Sequence, residues 1–425
     1  MRALRVSMIG PVPPHWGGGA KWRGGGIATY VEAILPRLLA LGVRVSYLAD
    51  NVPAGRLAAA PPAMGSSLTL ETVRKSPLAL LRLGIGRWAR LGLKVMAHGR
   101  LRAAAPPGQM IRYLGLAANF EAFLARHPAD LLHVQQAGQR QFLCQAVLGT
   151  PLPLVASLQS VNELIRPVAP WLARMTEQNY RLADHLVAVS NFVREVAAER
   201  GAPPERMTVI PSGVDSARFR PGPQAAARAE LGLPPDVLMV LFCGNLVPRK
   251  GADVLVRAFA DLADASKPAR LVLLGDGSEE EPLRRLAAER GLASRVHFAG
   301  FRPLDELPLW YQSCDIFALP SWAEGLSLAV LEAMACGRAL VTTFPGRGEH
   351  DAIQDGVNGR LVAYGDPVAL AAALKELLAS ASQRQEMGQN ARRTAVERFN
   401  WDAIARQTVE VYRKTLSGGK ARPQA

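Results

Sequence analysis

The chain has 425 residues, of which 49% are hydrophobic and 20% charged, a composition that predicts a soluble globular protein with two domains and excludes a largely disordered one. Its four cysteines are scattered without metal-ligand spacing, so we expect neither a disulfide nor a zinc site. No charge-free run reaches the length of a membrane-spanning helix, and the first residues are too short for a signal peptide. We therefore expect a cytoplasmic protein.

The formal net charge of +14 predicts an anionic partner, which can be a nucleotide sugar, a membrane surface or a nucleic acid. The chain has no zinc-finger spacing, no aromatic RNP-like strand and no isolated basic recognition helix. Nucleic acid is therefore the least supported of the three, and we predict no specific contact with it.

The chain begins with an apolar segment, 4–10, that predicts a buried strand, followed by a glycine-rich loop and a helix that starts near Gly26. A strand, a glycine loop and a helix together form a geometry in which backbone approaches a phosphate closely. The spacing differs from the dinucleotide fingerprint. Taken alone, the loop is better interpreted as a flexible connection.

After a second predicted strand at 43–49 comes a basic segment, 74–112, that has no acidic residue. Apolar residues alternate with its positive charges, which is typical of an amphipathic segment at an anionic membrane. The alternative is a helix that packs its apolar face on the domain and leaves its arginines in solvent. The nine basic residues are Arg74, Lys75, Arg82, Arg87, Arg90, Lys94, Arg100, Arg102 and Arg112.

Short apolar segments alternate with helical patterns in both halves of the chain, which predicts α/β domains with parallel sheets. We place an N-terminal domain at 1–217, a C-terminal domain at 218–395, a final amphipathic helix at 396–416 and a disordered tail at 417–425. The predicted strands lie at 129–134, 154–158, 184–190, 237–243, 270–274, 296–299, 315–319 and 339–342.

The segment 319–337 predicts a strand end, a polar turn that carries Glu324, and a helix that carries Glu332 and ends at Gly337. The backbone amides of the turn lie at the positive end of the helix dipole, which favours binding of a phosphate. An ionised glutamate further along the helix accepts hydrogen bonds from sugar hydroxyls. We expect Ser327, or the turn before it, to cap the helix. The alternative is a surface helix with two solvated glutamates. The amides belong to Gly325, Leu326 and Ser327.

The sequence EGLSLAVLEAMACGR at 324–338 resembles the two-glutamate motif of the retaining glycosyltransferases of family four, group 1 type. Further segments stand in that family's order and spacing over most of the C-terminal half. The resemblance implies a GT-B architecture, in which two Rossmann-like parallel-sheet domains face each other across a cleft. The further segments are GNLVPRKG at 244–251, LLGDG at 273–277, VHFAGF at 296–301, VIPSGVD at 209–215 and GVNGRLV at 356–362.

When a sugar is transferred from a nucleoside-diphosphate sugar, the nucleoside diphosphate departs as a dianion. An enzyme that uses such a donor therefore needs fixed positive charge where this leaving group forms. Arg249 and Lys250 follow a predicted strand, at the sheet edge where open α/β folds bind ligands. By resemblance, Lys250 matches the family's diphosphate-binding lysine. Asn245 stands where the family usually has arginine, which leaves Arg249 as the candidate for the second charge.

In the family, the glutamate matching Glu332 binds the ribose hydroxyls of the donor. The glutamate matching Glu324 lies beside the transferred sugar, with the amides of 325–327 near its hydroxyls or the phosphate. Phe301 and Arg302 follow the strand whose end contacts the nucleotide base. The resemblance therefore implies that these residues form the donor site.

In the first half, Gly25 and Gly26 match a loop that approaches the donor phosphate in the family. Gln159 stands where many members have histidine, and glutamine can hydrogen-bond a sugar hydroxyl but cannot titrate. For His133 and His15 we expect satisfied structural roles.

The resemblance implies sugar transfer from a UDP- or GDP-sugar to a glycan or lipid-linked acceptor, with retention at the anomeric carbon. The product would belong to cell-surface polysaccharide or glycolipid. We expect no cofactor and no metal, because basic residues can do the work of a cation and no metal-ligand cluster is evident. Two alternatives stay open: a GT-B nucleotide-sugar epimerase, and a non-catalytic scaffold suggested by Asn245 and Gln159.

Overall fold

A computed structural model describes residues 2–13, 26–49, 66–72, 119–136, 152–159, 176–177, 179–181, 183–262, 269–344 and 351–418. The chain divides into two compact units. The first extends to Pro211 and resumes at Trp401, and the second runs from Ser212 to Asn400. Each unit contains one parallel sheet with helices packed on it.

The second unit is longer at both ends than the predicted domain 218–395. The backbone N–H of Val214 donates to the carbonyl of Phe399 at 2.9 Å, and Phe219 is buried in the core of this unit. These contacts hold the two ends of the unit together, so residues 212–217 and 396–400 belong to it.

The sheet of the first unit has seven parallel strands in the order β3-β2-β1-β4-β5-β6-β7. Its apolar strands lie at the centre, as expected where helices cover both faces. The strands are β1 (Arg5–Gly10), β2 (Arg44–Ala49), β3 (Leu68–Thr72), β4 (Leu131–Val134), β5 (Leu154–Leu158), β6 (His185–Ala188) and β7 (Met207–Val209).

The helices of this unit include one that comes from the far end of the chain. They are α1 (Gly26–Ala40), a helical segment at 119–126, α2 (Asn191–Glu199) and α10 (Trp401–Ser417). Helix α10 packs on α1: the rings of Tyr30 and Trp401 meet edge to face at 5.4 Å, and Arg37 pairs with Asp402 at 2.8 Å. The tail beyond Gly418 lies outside the described residues.

The sheet of the second unit has six parallel strands in the order β10-β9-β8-β11-β12-β13. Its strands are β8 (Leu238–Cys243), β9 (Ala269–Leu274), β10 (Val296–Gly300), β11 (Ile316–Leu319), β12 (Ala339–Thr343) and β13 (Arg360–Val362). Its helices are α3 (Gln224–Glu230), α4 (Ala252–Ala260), α5 (Glu280–Glu289), α6 (Leu307–Ser313), α7 (Leu328–Ala335), α8 (Pro367–Ala379) and α9 (Ala381–Arg398).

Three strands were not predicted: β3, β7 and β13. Strands β3, β7 and β13 lie at the edges of their sheets, and all but a few of their residues are only partly buried. Edge strands need no continuous apolar run, so their sequences carry little of the signal that marks a central strand.

The order of the second sheet reverses between β8 and β11, because successive strands are added first on one side and then on the other. The loops that follow the two strands at such a reversal are the place where open α/β sheets bind ligands. The loop after β8 carries Arg249 and Lys250, and the loop after β11 carries Glu324. The fold thus brings together the two segments that the sequence analysis singled out.

Candidate functional site

Backbone contacts fix the two loops at the reversal against each other. Residues Pro248–Lys250 form a single 3-10 turn, and Gly251 ends it with a φ of +66° before α4 begins. A Cβ at Gly251 would come within 2.1 Å of the carbonyl oxygen of Pro320. The N–H of Trp322 donates to the carbonyl of Arg249 at 2.7 Å. Only glycine allows this approach, which sets the distance between the basic turn and the glutamate loop.

The side chains of the two loops meet in a cluster of two cations and one carboxylate. Lys250 Nζ lies 2.6 Å from Glu324 Oε1, and Arg249 Nη1 lies 3.2 Å from the same oxygen. The three side chains are between 12% and 24% exposed, so each retains access to solvent. Burial disfavours the charged form of Glu324, but the positive charges of Lys250 and Arg249 outweigh it and lower the pKa of this carboxyl. Glu324 is therefore ionised at neutral pH, and one positive charge of the cluster is left over.

The start of α7 offers backbone donors beside this cluster. Ser327 is the N-cap residue, with extended backbone, but its side chain caps no helical N–H. Ser327 thus stands at the expected N-cap position, but the first turn has no side-chain cap. Uncapped N–H groups at the positive end of a helix are suited to an anion. Gly337 follows the helix with a φ of +69°, as the predicted C-terminal stop requires.

Glu332 occupies the inner face of α7 and is 8% exposed. The hydroxyl of the buried Tyr311 donates to Glu332 Oε2 at 2.7 Å. Burial raises the pKa of Glu332 to about 7, despite the opposing effects of Tyr311 and Arg218. The neighbouring Cys243, the last residue of β8, has a thiol whose pKa is raised to about 12 by burial and by the charge of Glu332. Glu332 therefore faces the end of β8 from inside the unit.

The predicted base-contacting residues lie at the end of β10. Phe301 is 53% exposed. The guanidinium of Arg302 stacks over the ring of Trp310 at 5.5 Å and lies 3.6 Å from Glu306. The N–H of Gly275 donates to the carbonyl of Gly300 at 2.9 Å, which ties this strand end to the loop after β9. Asn245, in the loop after β8, is exposed.

Gln159 follows β5 in the first unit and is hydrogen-bonded to two glutamine side chains. Its amide donates to Gln135 Oε1 at 2.9 Å, and its backbone N–H donates to Gln136 Oε1 at 3.3 Å. Gln136 has a φ of +77°, which is uncommon for a residue other than glycine. These two glutamines were missed by the sequence analysis. Their position just after a predicted strand, 129–134, is the signal that points to them.

His133 lies next to Gln135, deep in the first unit. It is hydrogen-bonded to the hydroxyls of Tyr412 at 2.6 Å and Ser157 at 2.8 Å. Burial lowers the pKa of His133 to about 3, so the ring is neutral. The prediction of a satisfied structural histidine is confirmed. Gly26 is the first residue of α1, whereas His15, Gly25 and the basic segment 74–112 lie outside the described residues.

The structure thus brings Arg249, Lys250 and Glu324 into contact in one cluster. Gly26 and Gln159, the predicted site residues of the first unit, are described within that unit alone. Among the described residues there is no group of three metal-ligating side chains, and none of the helices is long and apolar enough to cross a membrane.

Family models match almost the whole described chain. The model of the glycosyl transferases group 1 matches residues 223–394, and that of glycosyltransferase family 4 matches residues 24–218. The two matches adjoin near the boundary between the two units, so each model corresponds to one sheet.

Curated relatives align over similar lengths. The D-inositol 3-phosphate glycosyltransferase of Thermobispora bispora is 32% identical over 92% of this chain and 90% of its own length. D-inositol 3-phosphate glycosyltransferase 2 of Catenulispora acidiphila is 34% identical over 74% of this chain and 78% of its own length.

Solved structures share the fold. Sucrose-phosphate synthase from Thermosynechococcus elongatus superposes with a TM-score of 0.78, at 23% identity, over 98% of this chain and all of that one. HepE of Anabaena in complex with UDP superposes with a TM-score of 0.73, at 20% identity, over 97% of this chain and all of that one. The chain therefore belongs to the group 1 glycosyltransferases of family 4 and is a nucleotide-sugar-dependent glycosyltransferase with the GT-B fold.

Proposed function

We propose that the cluster of Arg249, Lys250 and Glu324 binds the diphosphate of a nucleoside-diphosphate sugar and that the enzyme transfers the sugar with retention at the anomeric carbon. The observation that carries this proposal is the contact of two cations with one carboxylate at the sheet reversal. One positive charge is left over, and it stands where a phosphate would gain most from it.

The chemical role of the cluster follows from the leaving group. Cleavage of the bond between the sugar and the diphosphate places an additional negative charge on the departing phosphate. Lys250, whose ammonium is held by Glu324, can stabilise that charge without first being reoriented. The backbone amides of 325–327 and the uncapped first turn of α7 add donors at the same end of that helix.

The remaining donor contacts extend this site. Glu332 accepts the ribose hydroxyls, Phe301 and Arg302 contact the base, and Glu324 lies beside the transferred sugar. We also propose donor-binding roles for Gly25, Gly26 and Gln159. The donor is a UDP- or GDP-sugar, and the reaction needs no metal, because the positive side chains take the place of a cation. The departing phosphate helps to deprotonate the acceptor hydroxyl.

For the acceptor, we favour a glycan or a lipid-linked molecule in cell-surface polysaccharide or glycolipid synthesis. The net charge of +14 supports an enzyme that works at an anionic surface. We propose that the segment 74–112 provides peripheral contact with the inner membrane face and that the protein is otherwise cytoplasmic. Co-sedimentation with anionic and neutral vesicles, at low and high salt, tests this contact. Equal binding to both kinds of vesicle would contradict it.

A second candidate acceptor is an inositol phosphate. It is favoured by one observation: two relatives that align over most of this chain are named as D-inositol 3-phosphate glycosyltransferases. A soluble phosphorylated acceptor would also match a strongly basic protein.

The experiment is a transfer assay with UDP- and GDP-sugars against both acceptor classes, in the presence of a metal chelator. The proposal predicts release of nucleoside diphosphate that depends on acceptor, and a product with the anomeric configuration of the donor. An inverted product, or no turnover until a divalent metal is supplied, would contradict the mechanism. An isomerised nucleotide sugar without acceptor would identify an epimerase.

A further inference from the structure

A cavity of about 510 Å³ lies in the second unit, at the end of the sheet opposite to the donor cluster. Its lining includes Asp315, just before β11, and Arg338, just before β12. Lys250 and Glu324, by contrast, follow the ends of β8 and β11. Because all these strands are parallel, residues before them and residues after them lie at opposite edges of the sheet.

Two glycines determine the shape of this cavity. Gly388, in α9, packs directly on the turn after α7, where a Cβ would come within 2.2 Å of the carbonyl oxygen of Gly337. Gly337 itself has a φ of +69°, so its own replacement is strained as well. The contact holds α9 against this turn and places arginines from the two elements around one space.

Four arginines line the cavity: Arg338, Arg384, Arg392 and Arg393. The carboxylate in the lining is Asp315, and its negative charge is already paired with an arginine outside the lining. It pairs with the buried Arg228 at 2.7 Å and accepts the backbone N–H of Met239 at 2.7 Å. Within the described part of the chain, none of the four lining arginines forms a salt bridge. The space therefore carries a strong excess of positive charge.

Part of the bonding capacity of these arginines is used on backbone carbonyls, several of which lie at helix ends. Arg392 donates to the carbonyls of Ala335 at 2.7 Å and Phe219 at 2.9 Å. Arg338 donates to Cys336 through Nε and, through Nη1, to a carbonyl at the end of α6. A purely structural role would account for these bonds, because cations stabilise the negative end of a helix.

Other N–H donors of these arginines have no acceptor among the described residues. In the described residues, no acceptor contacts Nη2 of Arg338, Nε and Nη2 of Arg384, or Nε and Nη1 of Arg393. Each guanidinium has five N–H donors in a planar fork, which matches the paired oxygens of a phosphate. Helix capping therefore leaves both charge and donors unused in the cavity.

We propose that this cavity is an anion site, separate from the donor cluster, for a small molecule that carries a phosphate group. Its volume lies within the range of roughly 300 to 1,000 Å³ that is typical of small-molecule sites. The arginines supply the charge and the paired donors, and the close contact between Gly388 and Gly337 holds α9 beside the turn that carries Arg338. Free phosphate and a phosphomonoester offer the same group, so the site is defined here by that group.

The test is isothermal titration of the full-length protein with inorganic phosphate and, separately, with glycerol 3-phosphate, at constant ionic strength. A Lys250→Ala protein is titrated in parallel, because the donor cluster also attracts phosphate. The first cavity variant is the double substitution Arg384→Gln and Arg393→Gln. Its matched control is Arg285→Gln with Arg290→Gln, which removes the same charge from exposed positions at α5 in the same unit.

A second cavity variant guards against loss of the bond between Arg384 and Leu377 at the end of α8. It is Gln385→Glu with Gln389→Glu, two exposed lining positions, and it adds negative charge without removing an arginine. The melting temperature of each variant is measured to show that it is folded.

We expect wild type and Lys250→Ala to bind at least one of the two probes, and both cavity variants to bind it at least about tenfold more weakly, since hydrogen bonds to charged groups are strong. Tighter binding of the ester than of phosphate would identify an organic phosphate as the ligand, and tighter binding of phosphate would identify the free ion. Binding that Lys250→Ala abolishes would place the anion at the donor cluster and overturn the proposal. Equal weakening in the exposed control, or absence of binding to wild type, would also overturn it.

Discussion

The ammonium of Lys250 lies 2.6 Å from the carboxylate of Glu324, although 74 residues separate them in the chain. The pair is possible because their loops leave β8 and β11, which are neighbours at the reversal of the second sheet. Arg249 contacts the same carboxylate oxygen, so the cluster holds two positive charges against one negative charge. We consider this excess charge, held in place before the donor arrives, to be the centre of the site.

The first prediction separates the roles of Lys250 and Glu332. Lys250→Ala should lower kcat by about 10²- to 10³-fold, as loss of one preorganised transition-state donor does in other enzymes. Glu332→Gln should mainly raise KM for the donor, by about tenfold, because it weakens a ground-state contact. Steady-state kinetics with both substrates varied will measure this. A wild-type rate for purified Lys250→Ala would mean that the lysine does not act on the leaving group.

The second prediction concerns the glycine that sets the loop distance. Gly251→Ala should destabilise the protein by about 3 kcal/mol or more, because its Cβ meets a backbone oxygen that cannot move away freely. The matched control is Gly232→Ala: Gly232 has the same φ, +65°, but nothing lies within 4 Å of its Cβ. That change should cost only about 1 kcal/mol, which is the strain of the left-handed backbone alone. Denaturant unfolding of both proteins will show the difference, and equal losses would contradict the steric account.

The third prediction uses the buried carboxyl of Glu332, whose pKa is raised to about 7 from an ordinary 4.5. The folded state then holds a proton that the unfolded state has released, so this group stabilises the fold at low pH. Its contribution is lost as the pH rises from about 4.5 to about 7. At about 1.4 kcal/mol per pKa unit, the total is roughly 3 kcal/mol.

The measurement is the stability difference between wild type and Glu332→Gln across this pH range, with the exposed Glu281→Gln as control. We expect the advantage of wild type to shrink as the pH rises, whereas the control should track wild type throughout. A difference between wild type and Glu332→Gln that is independent of pH would rule out the raised pKa.

Much of the fold could be predicted from the sequence, because central strands of parallel sheets are continuous apolar segments. Strand β8 is an example: it was expected at 237–243 and lies at Leu238–Cys243. The same reasoning failed at β3, whose sequence alternates leucine with threonine and glutamate at the sheet edge. An edge strand is recognised by its pairing with β2, which depends on the tertiary structure.

The candidate site could be predicted in its members but not in its contacts. Motif spacing pointed to Lys250 and Glu324 one at a time, whereas their pairing depends on strand order. The hydrogen bond from Tyr311 to Glu332 had no signal in the sequence, because Tyr311 lies on α6, and a tyrosine in a helix is usually part of the core. The same holds for Gln135, which reaches Gln159 only through the adjacent ends of β4 and β5.

The fourth prediction concerns Gln159, at a position where the resemblance to the family implies histidine in many members. Its amide is held by Gln135, and glutamine has no proton to titrate, so the pH profile of kcat/KM should show no ionisation near neutrality that belongs to this position. Gln159→His should be tolerated or slightly inhibitory. A large gain in rate on Gln159→His would indicate a site that has lost a catalytic histidine and would contradict this account of the position.

The most direct test of the central claim is the affinity of the full-length protein for UDP and for GDP, measured by isothermal titration in the presence of a metal chelator. We predict that wild type binds at least one of them, that Lys250→Ala weakens this binding by about tenfold or more, and that the exposed control Arg285→Ala leaves it unchanged. Equal affinity in wild type and Lys250→Ala would contradict the assignment of the diphosphate to the cluster of Lys250 and Glu324.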